Sequence, residues 1–223
     1  MIIWEDTEKM NMTTQRTIVV DTKPYDERRL FARKDFVFEP GITVLVGCNG
    51  TGKSTVLKYI EKNLKKEKIP FTKFNNLTNG GQQVSSRAMF YGNTSLAASA
   101  MISSEGERIN IAITEFVATL KEFVDKNKKE KELWFLFDAL DSGFSLDNIE
   151  EVKDFIKNVL IPDAKKQNVY VVFTGNQYGL AENEDCIDVQ TGKHIKFESF
   201  NEYKKFILKS RQKKEKSYAV YKD

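Results

Sequence analysis

Gly47-Cys48-Asn49-Gly50-Thr51-Gly52-Lys53-Ser54-Thr55 is the stretch on which the fold turns. It fits the pattern G-x-x-x-x-G-K-[ST]. The fully apolar run Ile42-Thr43-Val44-Leu45-Val46 leads into it, and Val56, Leu57, Ile60 and Leu64 recur at helical spacing beyond it. Glycines let a short loop curl until successive N–H groups converge on one anion, and a helix behind the loop adds the positive end of its dipole. Lys53 is then placed to reach β- and γ-phosphates as a point charge, and the Ser54 hydroxyl to ligate a magnesium ion that keeps several waters. The reading is ATP with Mg²⁺, held by Asn49, Gly50, Thr51, Gly52, Lys53, Ser54 and Thr55.

Working outward, such a loop needs a second acid to fix the metal, and that acid normally ends a neighbouring apolar strand. Leu133-Trp134-Phe135-Leu136-Phe137 closed by Asp138 supplies it. Val169–Phe173 reads as a third buried strand, and Phe71–Phe74 as a short one. Amphipathic helices fall between them: Ile109 to Val124 on one face, then Ile149 to Val159, with Pro162 beyond. Phe200, Tyr203, Phe206 and Ile207 begin a last helix. Arg16–Thr22 reads as a strand, Phe36–Phe38 and Ile42–Val46 as a hairpin-like pair split by Pro40-Gly41, and Asp188–Gln190 with His194–Phe197 as a late hairpin.

Apolar strands alternating with amphipathic helices predict an α/β, P-loop NTPase fold. Its mostly parallel central sheet carries helices on both faces and an antiparallel side sheet, drawn from the early strands and the late hairpin. The expected organisation is an ATP-binding domain over 1–200, interrupted by a loop-rich Asn/Ser/Gly/Ala insert over 75–106, and a basic C-terminal tail over 201–223.

Taken together, these motifs resemble the ABC ATPase superfamily, in its soluble chromosome-maintenance and recombination branch. Gly47–Thr55 looks like that branch's Walker A, G-x-N-G-x-G-K-S-T. Ser103-Ser104-Glu105-Gly106-Glu107-Arg108 looks like a degenerate signature motif with Glu105 at a usual glycine, and it opens the helix that leads to Asp138. Asp138–Ser145 resembles Walker B running into a D-loop. Gln82 or Gln83 takes the place of a Q-loop glutamine. The resemblance implies a homodimer closing on two ATP molecules, with Ser104, Gly106 and Glu107 of each signature reaching the γ-phosphate held by the partner. A plain helix N-cap with a capping-box glutamate also explains Ser104–Glu107.

The sequence departs from that family at two places. Ala139 stands where a catalytic glutamate would follow Asp138, and a methyl group neither accepts a proton nor orients water. Asp141 is the nearest substitute, and a turn residue in Asp-Ser-Gly is its alternative reading. Asn176 or Gln177 stands where the family has a switch histidine. The single histidine, His194, falls in the late hairpin and reads as structural or solvated. The expected activity is therefore slow or partner-assisted ATP hydrolysis, with Lys53, Asp138 and Asp141 as the working groups. The alternatives are a nucleotide-dependent switch with little turnover and a P-loop small-molecule kinase. For the kinase, Arg87 alone makes a poor lid.

Net charge of +3 across 223 residues excludes a polycation, so any affinity for nucleic acid must be local. Lys204–Lys216, with one acid, is the place for it; a solvated C-terminal helix is the other reading. Cys48 and Cys186 have no metal-ligand spacing and read as free thiols. No apolar run approaches the ~20 residues that span a bilayer, and Met1–Asp6 has no leader pattern. The sequence points to a cytoplasmic protein with no membrane partner.

Overall fold

The structure is a computed structural model, described for residues 15–25, 29–75, 105–142, 144–164 and 166–219. Among the described residues, eight strands and five helices, in chain order, are β1 (Arg16–Val19), β2 (Asp35–Phe38), β3 (Gly41–Val46), α1 (Lys53–Glu67), β4 (Phe71–Asn75), α2 (Glu105–Lys126), β5 (Glu132–Asp138), α3 (Leu146–Phe155), β6 (Asn168–Thr174), α4 (Tyr178–Ala181), β7 (Asp185–Asp188), β8 (Lys193–Ile195) and α5 (Phe200–Ala219). The central sheet has the order β4-β5-β6-β3-β7-β8, and only the β7–β8 pair within it is antiparallel. Strands β1 and β2 form the antiparallel side sheet.

Successive side chains of a strand point to opposite faces, so fully apolar strands build a core on each side. Val44 and Val46 of β3, Phe135 and Phe137 of β5, and Val171 and Phe173 of β6 face α2, α3 and α5. Leu45, Trp134, Leu136, Tyr170 and Val172 face α1 and the side sheet, where Trp134 stacks flat on Tyr170 with ring centroids 4.3 Å apart. Phe116, Leu120 and Val124 are the buried stripe of α2, as their spacing requires.

Three expectations are corrected. The runs on either side of Pro40-Gly41 do not pair. β2 joins β1 in the side sheet, while β3 lies between β6 and β7 in the central sheet. Gly41, at φ 116, allows the chain to change sheets there. The late hairpin, β7–β8, extends the central sheet rather than the side sheet. His194 of that hairpin ties the two sheets together, with Nδ1 2.7 Å from Asp185 Oδ2 and Nε2 3.1 Å from the Val37 carbonyl. Finally, α3 does not stop before Pro162. It widens into a π-helical turn over Ile156–Leu160 and closes with Ile161–Asp163. Pro162 lacks the N–H that the carbonyl four residues back would accept, and its ring crowds that carbonyl.

Residues 201–223, set apart in the sequence as a basic tail, include most of α5, which packs on the body of the domain. Tyr203 and Ser210 are buried. Of the insert expected over 75–106, Asn75 ends β4 and residues 76–104 lie outside the described residues. Helix α2 opens at Glu105, where the signature-like motif predicts a helix to begin.

Candidate functional site

The loop after β3 runs from Gly47 to Gly52, and α1 starts at Lys53. Gly52 has φ 97, a conformation that L residues rarely adopt, and a Cβ there would lie 2.8 Å from Leu30 and from Phe31. That position therefore requires glycine on two independent grounds. Thr51 Oγ1 donates to the Cys48 carbonyl at 2.8 Å and fixes the curl of the loop.

Lys53 extends back over this loop. Its Nζ donates to the carbonyls of Gly47 (2.7 Å) and Cys48 (3.4 Å) and to Asn176 Oδ1 (2.9 Å). Burial lowers the pKa of this ammonium, while nearby Cys48, Asp141 and Asp138 act in the opposite direction. A buried cation held by neutral acceptors at a helix N-terminus is well placed to exchange them for phosphate oxygens.

Strand β6 lies between β3 and β5, so Asp138 reaches the loop across one intervening strand. Ser54 Oγ and Thr174 Oγ1 both donate to Asp138 Oδ1 at 2.8 Å. Thr174 Oγ1 also accepts the Ala139 N–H at 2.9 Å. A hydroxyl and a carboxylate in contact form a hard-oxygen pair that fits Mg²⁺, an ion that takes few protein ligands and completes its shell with water and phosphate. Among the described residues there is no cluster of His, Cys, Asp or Glu that would hold a metal on its own. The donor set thus suits a nucleotide-bound magnesium rather than a dedicated metal cage.

Directly after Asp138 the chain turns sharply. Ala139 has φ 53, one of three described non-glycine residues at positive φ. The turn buries Leu140 and brings Asp141 back to the cleft. Asp141 Oδ2 accepts the N–H groups of Asn176 and Gln177, the latter at 3.0 Å. Its other oxygen has no hydrogen-bond partner among the described residues, and a Cβ on Gly175 would stand 3.0 Å from it. Asn176 therefore connects the cleft's groups: its side chain touches Lys53, its N–H touches Asp141, and its carbonyl accepts Tyr203 Oη at 2.8 Å.

These groups line one cleft of ≈ 380 Å³, with Asn49, Gly50, Gly52, Thr55 and Tyr25 at its rim. Tyr25 Oη is 2.9 Å from Thr55 Oγ1, and the residue is 64% exposed. The structure thus brings together Asn49, Gly50, Gly52, Lys53, Ser54, Thr55, Asp138 and Asp141, with Thr51 buried behind them. Gly106 and Glu107 fall in α2. Gln82, Gln83 and Ser104 lie outside the described residues.

Sequence reasoning missed Thr174, Tyr25 and the contacts of α5. Thr174 carried a usable signal, because it ends an apolar strand as Asp138 does. Tyr25 carried none, because only the folded chain brings residue 25 to residue 55. From α5, Ser210 Oγ accepts the Cys48 N–H at 3.2 Å and donates to Gln190 Oε1, and Lys214 Nζ donates to the Asn49 carbonyl at 2.8 Å.

A family model described as AAA domain matches residues 28–222. No curated protein matches the chain.

Proposed function

The chain belongs to the AAA domain family and is a nucleotide-binding P-loop ATPase; from that premise we propose that it binds ATP with Mg²⁺ in the Lys53–Asp138 cleft, dimerises around it, and hydrolyses it slowly or with a partner's help. The observation that carries this reading is the contact of Ser54 Oγ with Asp138 Oδ1 at the mouth of a loop whose lysine has only neutral partners.

The roles follow from the geometry. Main-chain N–H groups of the loop and Lys53 bind the phosphates. Ser54 and Asp138 would hold the metal, which would supply positive charge to neutralise that of the phosphates. Thr174 aims the Asp138 carboxylate. Asn176, already on Lys53, is placed to follow the γ-phosphate. Asp141, three residues beyond Asp138, is the acid proposed to orient water in place of Ala139, with a single oxygen because the other is engaged by two amides. This supports slow turnover. The signature-like residues Ser104, Gly106 and Glu107 would complete the partner's site in the dimer.

The Ala139 turn favours a second reading, a nucleotide-dependent switch whose output is dimerisation rather than turnover. One pair of experiments separates the two. Sizing with and without ATP–Mg²⁺ is expected to show an ATP-dependent dimer, and an unchanged monomer would remove the sandwich mechanism. Steady-state hydrolysis against Lys53→Ala as blank is expected to show slow turnover above the blank. Turnover indistinguishable from the blank would leave the switch.

A further inference from the structure

Outside the nucleotide cleft, a run of uncompensated positive charge lies along α5. Between Lys204 and Lys216 this helix carries six lysines and one arginine against a single acid, Glu215. At about 100° of rotation per residue, Lys205, Lys209, Lys213 and Lys216 fall in one stripe roughly 80° wide, and all four are exposed. Glu215 lies on the other side of the helix, where it accepts from Arg211 Nε at 2.9 Å; Glu202, in the first turn, lies on the stripe's side and accepts the Glu198 N–H at 3.0 Å. Among the described residues, no carboxylate pairs with the stripe.

The stripe ends in a groove of ≈ 210 Å³ between α5, the 29–32 loop, Gln190 and Thr51. Lys213 and Lys214 line one wall and Arg29 the other. Arg29 donates to the carbonyls of Phe31 (3.0 Å) and Ala32, and Lys214 to that of Asn49. All these acceptors are neutral, and among the described residues none of the three cations pairs with a carboxylate. Like charges converging on a concave surface focus the local potential, and a guanidinium beside ammonium groups matches phosphate oxygens.

We propose that the Lys205–Lys209–Lys213–Lys216 face of α5, with the Arg29–Lys214 groove at its end, is a binding track for the phosphodiester backbone of a nucleic acid, seated against the outer side of the phosphate loop. Such contacts fix position and affinity and carry no sequence information. The stripe holds no aromatic side chain on which bases could stack, so it fits a duplex backbone rather than a splayed single strand. The track also touches the nucleotide machinery. Lys214 Nζ sits on Asn49, 3.6 Å from where a Cβ on Gly50 would stand, and Ser210 sits on Cys48. A phosphate that draws Lys214 off Asn49 changes the loop that grips ATP, and by reciprocity ATP changes the affinity for the duplex by the same factor. This coupling rests on the nucleotide reading of the cleft; the track itself does not.

The test is fluorescence anisotropy of a labelled DNA duplex with the full chain and no nucleotide. Binding is expected to weaken about a hundredfold between about 50 and 200 mM salt if four phosphates are neutralised. The double variant Lys209→Ala/Lys213→Ala, with thermal melting to confirm its fold, is expected to bind at least tenfold more weakly, with a salt slope lower by about two. Absent duplex binding, or binding indifferent to salt or to the double substitution, would overturn the track. Inorganic pyrophosphate on a Lys53→Ala background is the second probe. Its binding through Arg29 and Lys214 with no duplex binding would mean a small-anion site instead. Loss of ATP binding with duplex binding intact would strike the nucleotide reading alone.

Discussion

Two loops meet at the cleft, and they are built on opposite terms. In the loop between β3 and α1, glycines occupy the left-handed positions, and Gly52 occupies a space that closes on any Cβ. Residue type and backbone agree throughout. In the loop after β5, an alanine holds φ 53, and Asp141 uses one oxygen on the amides of Asn176 and Gln177. A left-handed L residue costs about 1–2 kcal/mol. One loop is fitted for gripping an anion. The other follows Asp138, the metal ligand proposed above, with an alanine that can neither accept a proton nor orient water. The difference teaches that binding and turnover are separable here, and each variant below presses on one loop and not the other.

The largest effect is expected in the first loop. Lys53→Ala removes charge-assisted bonds worth about 1.5–3 kcal/mol each, so ATP affinity measured by titration should fall by tens-fold to several-hundredfold while the melting temperature holds. Unchanged affinity would break the comparison outright. Gly52→Ala meets both strain and the side chains of Leu30 and Phe31. It should destabilise the fold by about 2–4 kcal/mol, read by denaturant melting, and a stability equal to wild type would show that the loop has slack.

Substitutions in the second loop should leave ATP affinity within about twofold. Asp141→Asn is expected to reduce hydrolysis about a hundredfold, at the low end of general-base effects. Hydrolysis that is unaffected would return Asp141 to a purely structural role as a turn residue. The smallest effect belongs to Ala139→Gly. Relief of about 1–2 kcal/mol of left-handed strain is offset by the ~0.4–1 kcal/mol that glycine adds to unfolded-chain entropy. The net expectation is a modest gain in stability by denaturant melting, and a loss would show that the turn is unstrained.

Much of this could be read from the residues alone. The glycine-lysine loop, the apolar strand ending in Asp138, and the helix spacing of Phe116, Leu120 and Val124 are local patterns with local causes. What escaped depended on distant partners. Whether Phe36–Phe38 pairs with Ile42–Val46 is decided by the sheet each strand joins, and Pro40-Gly41 serves a change of sheet as well as a hairpin. The position of β6 between β3 and β5, which places Thr174 on Asp138, is a matter of strand order that spacing does not encode. The seat of α5 depends on a bond between residues 48 and 210, and nothing near Ser210 announces it. Its run of lysines reads the same whether the helix floats or docks. Pro162 read as a stop because prolines usually are; here a π-helical turn absorbed it.

The central claim is that a triphosphate is held by the Gly47–Ser54 loop. Calorimetric titration of ATP into the full chain, with and without Mg²⁺, tests it most directly. Saturable binding that strengthens with the metal, and that is lost in Lys53→Ala, is the predicted result. The absence of saturable binding, or binding that the alanine variant retains in full, would contradict it.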